Sequence, residues 1–246
     1  TLVKTNCIID GIATLNSGSI EIPSGFTKVS GQLDVVDGTL TVFVIDLSSL
    51  SGTAVMNVAG GTVQFAAIEL GTAVGSRGML NVTGGNLFSS CCLQIGGAGV
   101  GAMTVSGGVV GSDIGLSGPP GSESVLTVAG GTVGGYLSAG GPSGATGSVW
   151  VTDAQSVATF GIMTLGNGAG SAGRLTLSNG LVRVGLAAIG AGISVGTLTV
   201  AGGTFETLGP PFVTDQGFLV GQGIGSTGVV WITGGQFTVT NDVLAL

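Results

Sequence analysis

The acidic side chains are the first residues to test for chemistry, because the 246-residue chain contains no histidine. Hydrolysis of a glycosidic bond needs two carboxyl groups about 5–10 Å apart, and a nucleophilic triad needs a base such as histidine. The 12 Asp and Glu residues are scattered, and the best grouping is Asp34 and Asp37 with Asp10. We interpret Asp37 as a turn residue, and we expect no enzymatic activity, no bound metal and no cofactor.

Glycine motifs that resemble a nucleotide-binding fingerprint occur twice, as Gly168-x-Gly170-x-x-Gly173 and Gly223-x-Gly225-x-x-Gly228. A dinucleotide fingerprint requires a helix after its turn and an acidic residue about 20 positions later. Strand-like sequence follows both motifs instead, and both motifs occupy the same place in a repeated unit. The pattern therefore favours structural corners over a nucleotide site.

The three cysteines, Cys7, Cys91 and Cys92, do not have the spacing of a zinc site. They are either free or buried thiols, or they form a bond between subunits. Cys7-Ile8-Ile9 reads as an apolar strand. This segment is therefore a candidate for strand pairing or a disulfide between subunits.

The composition limits the partners that the chain can have. Charged residues make up 7% of the chain, against roughly 25% in ordinary globular proteins. The net charge is −7 and only five cationic side chains are present, which argues against nucleic acid and anionic membrane surfaces as partners. No run of about 18 apolar residues exists, so insertion into a membrane is not expected.

The elements that position these residues belong to a repeat whose best example is Leu-Thr-Val-Ala-Gly-Gly at 126–131. Each copy ends in a two-residue turn pair. The first residues of the ten pairs are Ser17, Asp37, Gly60, Gly84, Gly107, Gly130, Asp153, Asn179, Gly202 and Gly234. Their successive spacings of 20, 23, 24, 23, 23, 23, 26, 23 and 32 residues indicate a stacked repeat protein rather than one closed globule. Asp and Asn tolerate a left-handed conformation, which predicts a positive φ at this corner in every coil.

Apolar residues lie two and four positions before each turn pair, with a variable residue between them. This alternation indicates a strand with one buried face, and two further apolar rows follow the turn. We therefore predict an all-β fold, a single parallel β-solenoid (β-helix) of about ten coils. Each coil would have about 23 residues and three short strands, and the rod would be about 48 Å long at about 4.8 Å per coil.

Two segments depart from the repeat. Residues 1–12 precede the first full coil and are predicted to be a strand that caps the rod or pairs with a neighbouring subunit. Residues 13–246 form the solenoid, and the long last interval predicts a loop insertion near 206–216 that contains Pro210 and Pro211. No boundary between domains is evident within the solenoid.

The outward position of the first strand is mostly Thr or Asn, but it is Trp in two coils, at Trp150 and Trp231. Thr is the usual outward residue of a strand, so the Thr row alone does not indicate a ligand. Large exposed aromatic side chains stack on sugars or become buried against another subunit. Trp150, Trp231, Pro210 and Pro211 are therefore the candidate residues for a subunit or glycan contact.

The repeat resembles those of bacterial autotransporter passengers and of PEP-CTERM-associated surface proteins, as in Gly173-Arg174-Leu175-Thr176-Leu177-Ser178-Asn179-Gly180-Leu181-Val182. The resemblance extends over nearly the whole chain from about residue 13. It implies a secreted or surface-displayed bacterial β-solenoid, and it transfers no catalytic residues. The sequence shows no translocator barrel or anchor motif, so the resemblance leaves the secretion route open.

The ends of the predicted rod suggest how it functions. A solenoid exposes unpaired strand edges at its last coil unless a polar cap covers them, and the apolar sequence at 237–246 does not provide one. Contacts between the two different ends do not close into a ring, so they produce filaments. We expect a non-enzymatic structural subunit of an extracellular bacterial filament or surface layer, with other copies of itself as its partner. The alternative is a cell-surface adhesin that binds glycan or a host surface.

Overall fold

The computed structural model describes residues 2–141, 144–208, 217–240 and 244–245, and every regular element in them is a β-strand. No helix long and apolar enough to cross a bilayer occurs in this part of the chain. The first twelve strands are β1 Leu2–Val3, β2 Cys7–Ile9, β3 Ile12–Leu15, β4 Ser19–Val29, β5 Gln32–Val35, β6 Thr39–Leu47, β7 Ala54–Val58, β8 Thr62–Leu70, β9 Arg77–Val82, β10 Asn86–Ile95, β11 Val100–Val105 and β12 Val109–Leu116. The others are β13 Glu123–Val128, β14 Thr132–Ala139, β15 Thr146–Val151, β16 Val157–Asn167, β17 Ala172–Leu177, β18 Leu181–Ala191, β19 Val195–Val200, β20 Thr204–Thr207, β21 Phe218–Gln222, β22 Thr227–Ile232, β23 Gln236–Val239 and β24 Leu244–Ala245.

The strands form two parallel sheets that extend along the rod. The ten-stranded sheet has the order β3-β5-β7-β9-β11-β13-β15-β17-β19-β22. The 14-stranded sheet follows β1-β4-β6-β8-β10-β12-β14-β16-β18-β20-β23, with β2 also on β4, and with β21 on β18 and β24 on β21. The architecture is a β-solenoid of about nine turns, with about 23 residues per turn and three strands per coil, which confirms the predicted fold.

The register of the ten-stranded sheet places each residue on its equivalent in the next coil. Successive strands pair with offsets of 20, 23, 24, 23, 23, 23, 26, 23 and 32 residues. These offsets equal the spacings of the turn pairs in the sequence. From β3 to β22 the sheet therefore extends about 43 Å, at about 4.8 Å per step.

One apolar core fills the space between the sheets. Leu126 and Val128 are fully buried while Thr127 between them is half-buried on the outer face, and the same alternation recurs in the neighbouring coils. Near the C-terminal end the core contains Phe205 and Phe237, whose rings stack with centroids 5.3 Å apart. Phe218 packs edge-on against both rings. The buried rows identified in the sequence are thus the lining of the core.

The second and third strands of most coils are joined into one bent element of the 14-stranded sheet. In β10 the register with β8 shifts between Ser89 and Cys92, where the strand changes direction. In the ninth coil the two parts are separate, as β20 and β21. Extra residues at the bend let a single strand follow two sides of the rod.

The predicted positive φ at the turn pair is present, but it belongs to the second residue of the pair. In nine of the ten pairs this residue is a glycine with φ between 67° and 89°. Of the six glycines at the first position, Gly130 alone has a positive φ, of 133°, so a left-handed conformation does not account for the Asp and Asn residues found there. Asp37 Oδ1 accepts a hydrogen bond from Gly38 N at 2.7 Å, and Asn179 Oδ1 accepts one from Gly180 N at 2.9 Å. These side chains are suited to the turn because they bind its backbone N–H.

The two irregular segments have defined positions. β1 and β2 both pair in parallel with β4, so residues 2–9 add one layer to the 14-stranded sheet. At the proposed insertion, Glu206 and Thr207 belong to β20 and pair with β18. Pro210 and Pro211 lie outside the described residues.

Candidate functional site

Trp150 and Trp231 lie on the outer face of the ten-stranded sheet, in the same column of residues. The parallel register stacks Trp150 of β15 on Thr176 of β17, Thr176 on Thr199 of β19, and Thr199 on Trp231 of β22. Three steps of about 4.8 Å place the two tryptophan rows about 14 Å apart. The structure therefore brings the two predicted aromatic residues to one site, with two threonines between them.

A second column completes this site, because residues two positions apart on a strand point to the same face. Ser148, Arg174 and Thr197 lie two residues before Trp150, Thr176 and Thr199. Together these side chains line a groove of about 330 Å³. We call it the tryptophan groove. Its floor bears hydroxyl groups, and its two tryptophans are 45% and 59% exposed, so their rings are accessible to a ligand.

Arg174 gives the groove a positive charge. Its side chain is exposed, and within the described residues its guanidinium has no salt bridge or hydrogen-bond partner. Arg183, by contrast, pairs with Glu206 at 3.0 Å. Arg174 is the one charged residue among those that line the groove. An uncompensated guanidinium in a chain of net charge −7 can bind a carboxylate through two parallel hydrogen bonds.

The acidic residues considered for chemistry have separate hydrogen-bond partners. Both carboxylate oxygens of Asp34 accept from Gln32 Nε2, at 2.9 and 2.8 Å, and Oδ1 also accepts from Asn57 Nδ2 at 2.7 Å. Asp10 accepts a hydrogen bond from Ser30 Oγ. Asp37 binds the backbone of its own turn. Each of the three carboxylates thus has a structural hydrogen-bond role.

The cysteines fall into two separate places, and all three are free thiols. Cys7 is half-buried and packs against the core at the N-terminal end of the rod, whereas Ile8 is 64% exposed. Cys91 and Cys92 are adjacent at the bend of β10, with their Sγ atoms 2.6 Å apart. The hydrogen bond with Cys91 and then burial raise the pKa of Cys92 to about 11. Cys92 is therefore protonated, and poorly nucleophilic, at neutral pH.

The glycine motifs at 168–173 and 223–228 are corners of the rod. Gly170 and Gly225 have φ of 73° and 79°. The strands β17 and β22 begin at Ala172 and Thr227, where a nucleotide-binding fold would begin a helix. In the part of the chain that the structure describes, no group of three or more His, Cys, Asp or Glu residues lies close enough to hold a metal.

Comparison with known proteins finds no match to a family model, to a curated protein sequence or to a solved structure. The tryptophan groove therefore has to be interpreted from its own residues. The sequence identified both tryptophans but missed Arg174. Arg174 lies two residues before Thr176, which belongs to the same outward column as the tryptophans, and this position could have placed it beside them. The unpaired state of Arg174 could not be read from the sequence, because it depends on which acids the register brings near.

Proposed function

We propose that the chain is a non-enzymatic structural rod that assembles end to end, as a subunit of an extracellular bacterial filament or surface layer. The observation that supports this most strongly is that strand edges are free at both ends of the rod. The N-terminal end presents β1, β2 and β3, and the C-terminal end presents β22, β23 and β24. A second copy placed on either end would extend the 14-stranded sheet by pairing its β1 with β23.

Within the described strands, the terminal strands of the ten-stranded sheet, β3 and β22, each have one neighbour. Their other edges carry N–H and C=O groups that a parallel strand could pair with. Core positions are also open at the C-terminal end. Ile232 stacks on Val200 and occupies the same inward position, but Ile232 is 54% exposed and Val200 is fully buried. The end thus exposes apolar surface that another coil would cover.

The free energies favour stacking once this apolar surface is included. Backbone hydrogen bonds contribute about 0.5–1.5 kcal/mol each, and association costs about 4–15 kcal/mol. Some ten new bonds therefore approximately balance the cost of association. Burial of apolar side chains contributes about 1.5–3 kcal/mol for each one fully removed from water. Ile232, Val230 and Phe237 at one end, and Ile9 and Ala13 at the other, provide that surface.

A charge at the exposed core position tests the proposal. Ile232→Lys places an ammonium group where the next coil would pack, and Val74→Lys adds the same charge to an exposed corner in the middle of the rod. Sedimentation velocity over a range of protein concentrations should show large assemblies for the wild type and for Val74→Lys. Ile232→Lys should remain monomeric with an unchanged circular dichroism spectrum. Assemblies that persist in Ile232→Lys would contradict end-to-end stacking.

The extracellular and bacterial parts of the proposal are supported by the resemblance of the glycine-rich repeat to surface-displayed solenoids. They are tested separately, with antibody labelling of intact source cells. Labelling at the cell surface is expected, and labelling that requires permeabilised cells would contradict it. A second function, binding of a glycan, is favoured by the tryptophan groove and does not depend on assembly.

A further inference from the structure

We propose that the tryptophan groove binds an acidic oligosaccharide, one whose sugar rings carry carboxylates, as in a chain of uronic acids. The inference goes beyond the assembly proposed above and concerns the outer face of the ten-stranded sheet, from β15 to its terminal strand β22. Because the groove faces sideways, end-to-end stacking would leave it open along the side of the filament, next to the junction at β22.

The aromatic residues indicate a sugar rather than a protein surface. Trp150 and Trp231 provide two exposed aromatic faces, separated by two rows that bear Thr176 and Thr199. Pyranose rings have an apolar face that stacks on an aromatic ring and a rim of hydroxyl groups that needs hydrogen-bond partners. The groove offers both kinds of contact in alternation.

The spacing indicates an oligosaccharide rather than a single sugar. The two tryptophan rows are about 14 Å apart at about 4.8 Å per strand, which exceeds the length of one pyranose ring. A ligand that stacks on both tryptophans must therefore run along the rod, across β15, β17, β19 and β22. It would lie over the hydroxyl groups of Thr176 and Thr199 as it crosses.

The charge selects the acidic class. Arg174 lies beside the path between the tryptophans and has no salt bridge within the described residues. Because the chain has a net charge of −7, a general attraction for anions is weak, and the preference for a carboxylate must come from this guanidinium. A neutral oligosaccharide of the same linkage would keep the stacking contacts and lose this charge-assisted hydrogen bond.

Tryptophan fluorescence reports on this site alone, since the chain contains only two tryptophans and both line the groove. The protein would be titrated with oligogalacturonates long enough to span both tryptophans, and in parallel with the same oligomers as methyl esters. The acid form is expected to change the emission and to bind at least fivefold more tightly than the ester. Trp150→Ala and Trp231→Ala should each weaken binding about tenfold, with the remaining tryptophan as reporter.

Arg174→Gln separates the charge from the stacking. It should abolish the preference for the acid form while affinity for the ester stays the same. Matched controls are Arg77→Gln, an exposed arginine four strands away in the same sheet, and Thr104→Ala, which lies in the same outward row outside the groove. Both should bind like the wild type.

Three results would overturn the proposal. The first is the absence of an emission change with either ligand, and the second is an acid preference that survives Arg174→Gln. The third is an emission change that follows protein concentration without sugar in Ile232→Lys, where end-to-end stacking is blocked, because it would assign the groove to a second copy of the chain. Assembly that persists while the sugar fails to bind would refute the groove alone and leave end-to-end stacking intact.

Discussion

Gly131→Ala tests whether contact between successive coils dictates the glycine turns. Gly131 has a φ of 71°, and an added Cβ would lie 2.8 Å from the carbonyl carbon of Gly107 and from the oxygen of Gly108 in the preceding coil. Those atoms are backbone held in the sheet, so they cannot move away cheaply. Gly75 is the matched control, because its φ is 76° and a Cβ there would meet nothing within 4 Å.

The two glycines share the conformational cost and differ in the steric cost. A left-handed alanine costs about 1–2 kcal/mol, and part of this is offset because alanine reduces the entropy of the unfolded chain by about 0.4–1 kcal/mol. Gly75→Ala should therefore lose about 1 kcal/mol of unfolding free energy. Overpacking adds about 1–3 kcal/mol, so Gly131→Ala should lose about 2–4 kcal/mol.

Urea unfolding followed by circular dichroism measures the difference. The midpoint should fall further for Gly131→Ala than for Gly75→Ala, with equal slopes showing that the extent of unfolding is the same. Equal losses for the two variants would refute the reasoning, because they would show that the coils separate easily enough to accept a methyl group between them.

Three further changes have defined outcomes. Asp34→Ala removes the acceptor of two side-chain amide donors and should lower the urea midpoint by an amount equivalent to about 1–2 kcal/mol; no loss would show that these half-buried bonds contribute nothing. Phe205→Ala opens a cavity in the buried core and should lower the free energy of unfolding, measured by thermal unfolding, by about 3–5 kcal/mol. Phe237→Ala, at the partly exposed end of the same stack, should lower it clearly less. Equal losses for the two variants would contradict an open C-terminal end of the core. Cys92 should react slowly with iodoacetamide at pH 8, and faster as the pH rises towards its pKa of about 11. Cys91→Ala should lower the pKa of Cys92 and speed its reaction at pH 8, as mass spectrometry of the labelled peptide would show. An unchanged rate would contradict the hydrogen bond between the thiols.

The repeat was readable from the sequence because one periodic rule governs every coil. The spacing of the turn pairs equals the strand register in all nine steps, and the alternating apolar positions are buried in every coil except the first and the last. Because each coil stacks on a neighbour with the same sequence pattern, an error in placing one coil does not carry over to the next. Periodicity alone was therefore enough to predict the solenoid, the core and the face that carries Trp150 and Trp231.

The features that sequence reasoning missed depend on contacts between coils. The left-handed residue of the turn was assigned to the wrong member of the pair, although the second member is glycine in nine of the ten pairs and the first varies among Ser, Asp, Asn and Gly. Arg174 looked like an ordinary exposed residue, since its place beside two tryptophans follows from stacking across three strands. The continuous bend of β10 could not be separated from two short strands, because both have the same apolar spacing.

End-to-end stacking is tested most directly by electron microscopy of the purified protein at high concentration, with the axial repeat measured from the images. If each copy pairs its β1 with β23 of the one before, the 14-stranded sheet is uninterrupted. The filaments should then show a layer line at about 4.8 Å and a molecular repeat of about 53 Å, the length of the eleven layers from β1 to β23. Dispersed single rods, or filaments whose repeat does not correspond to a whole number of coils, would contradict the account.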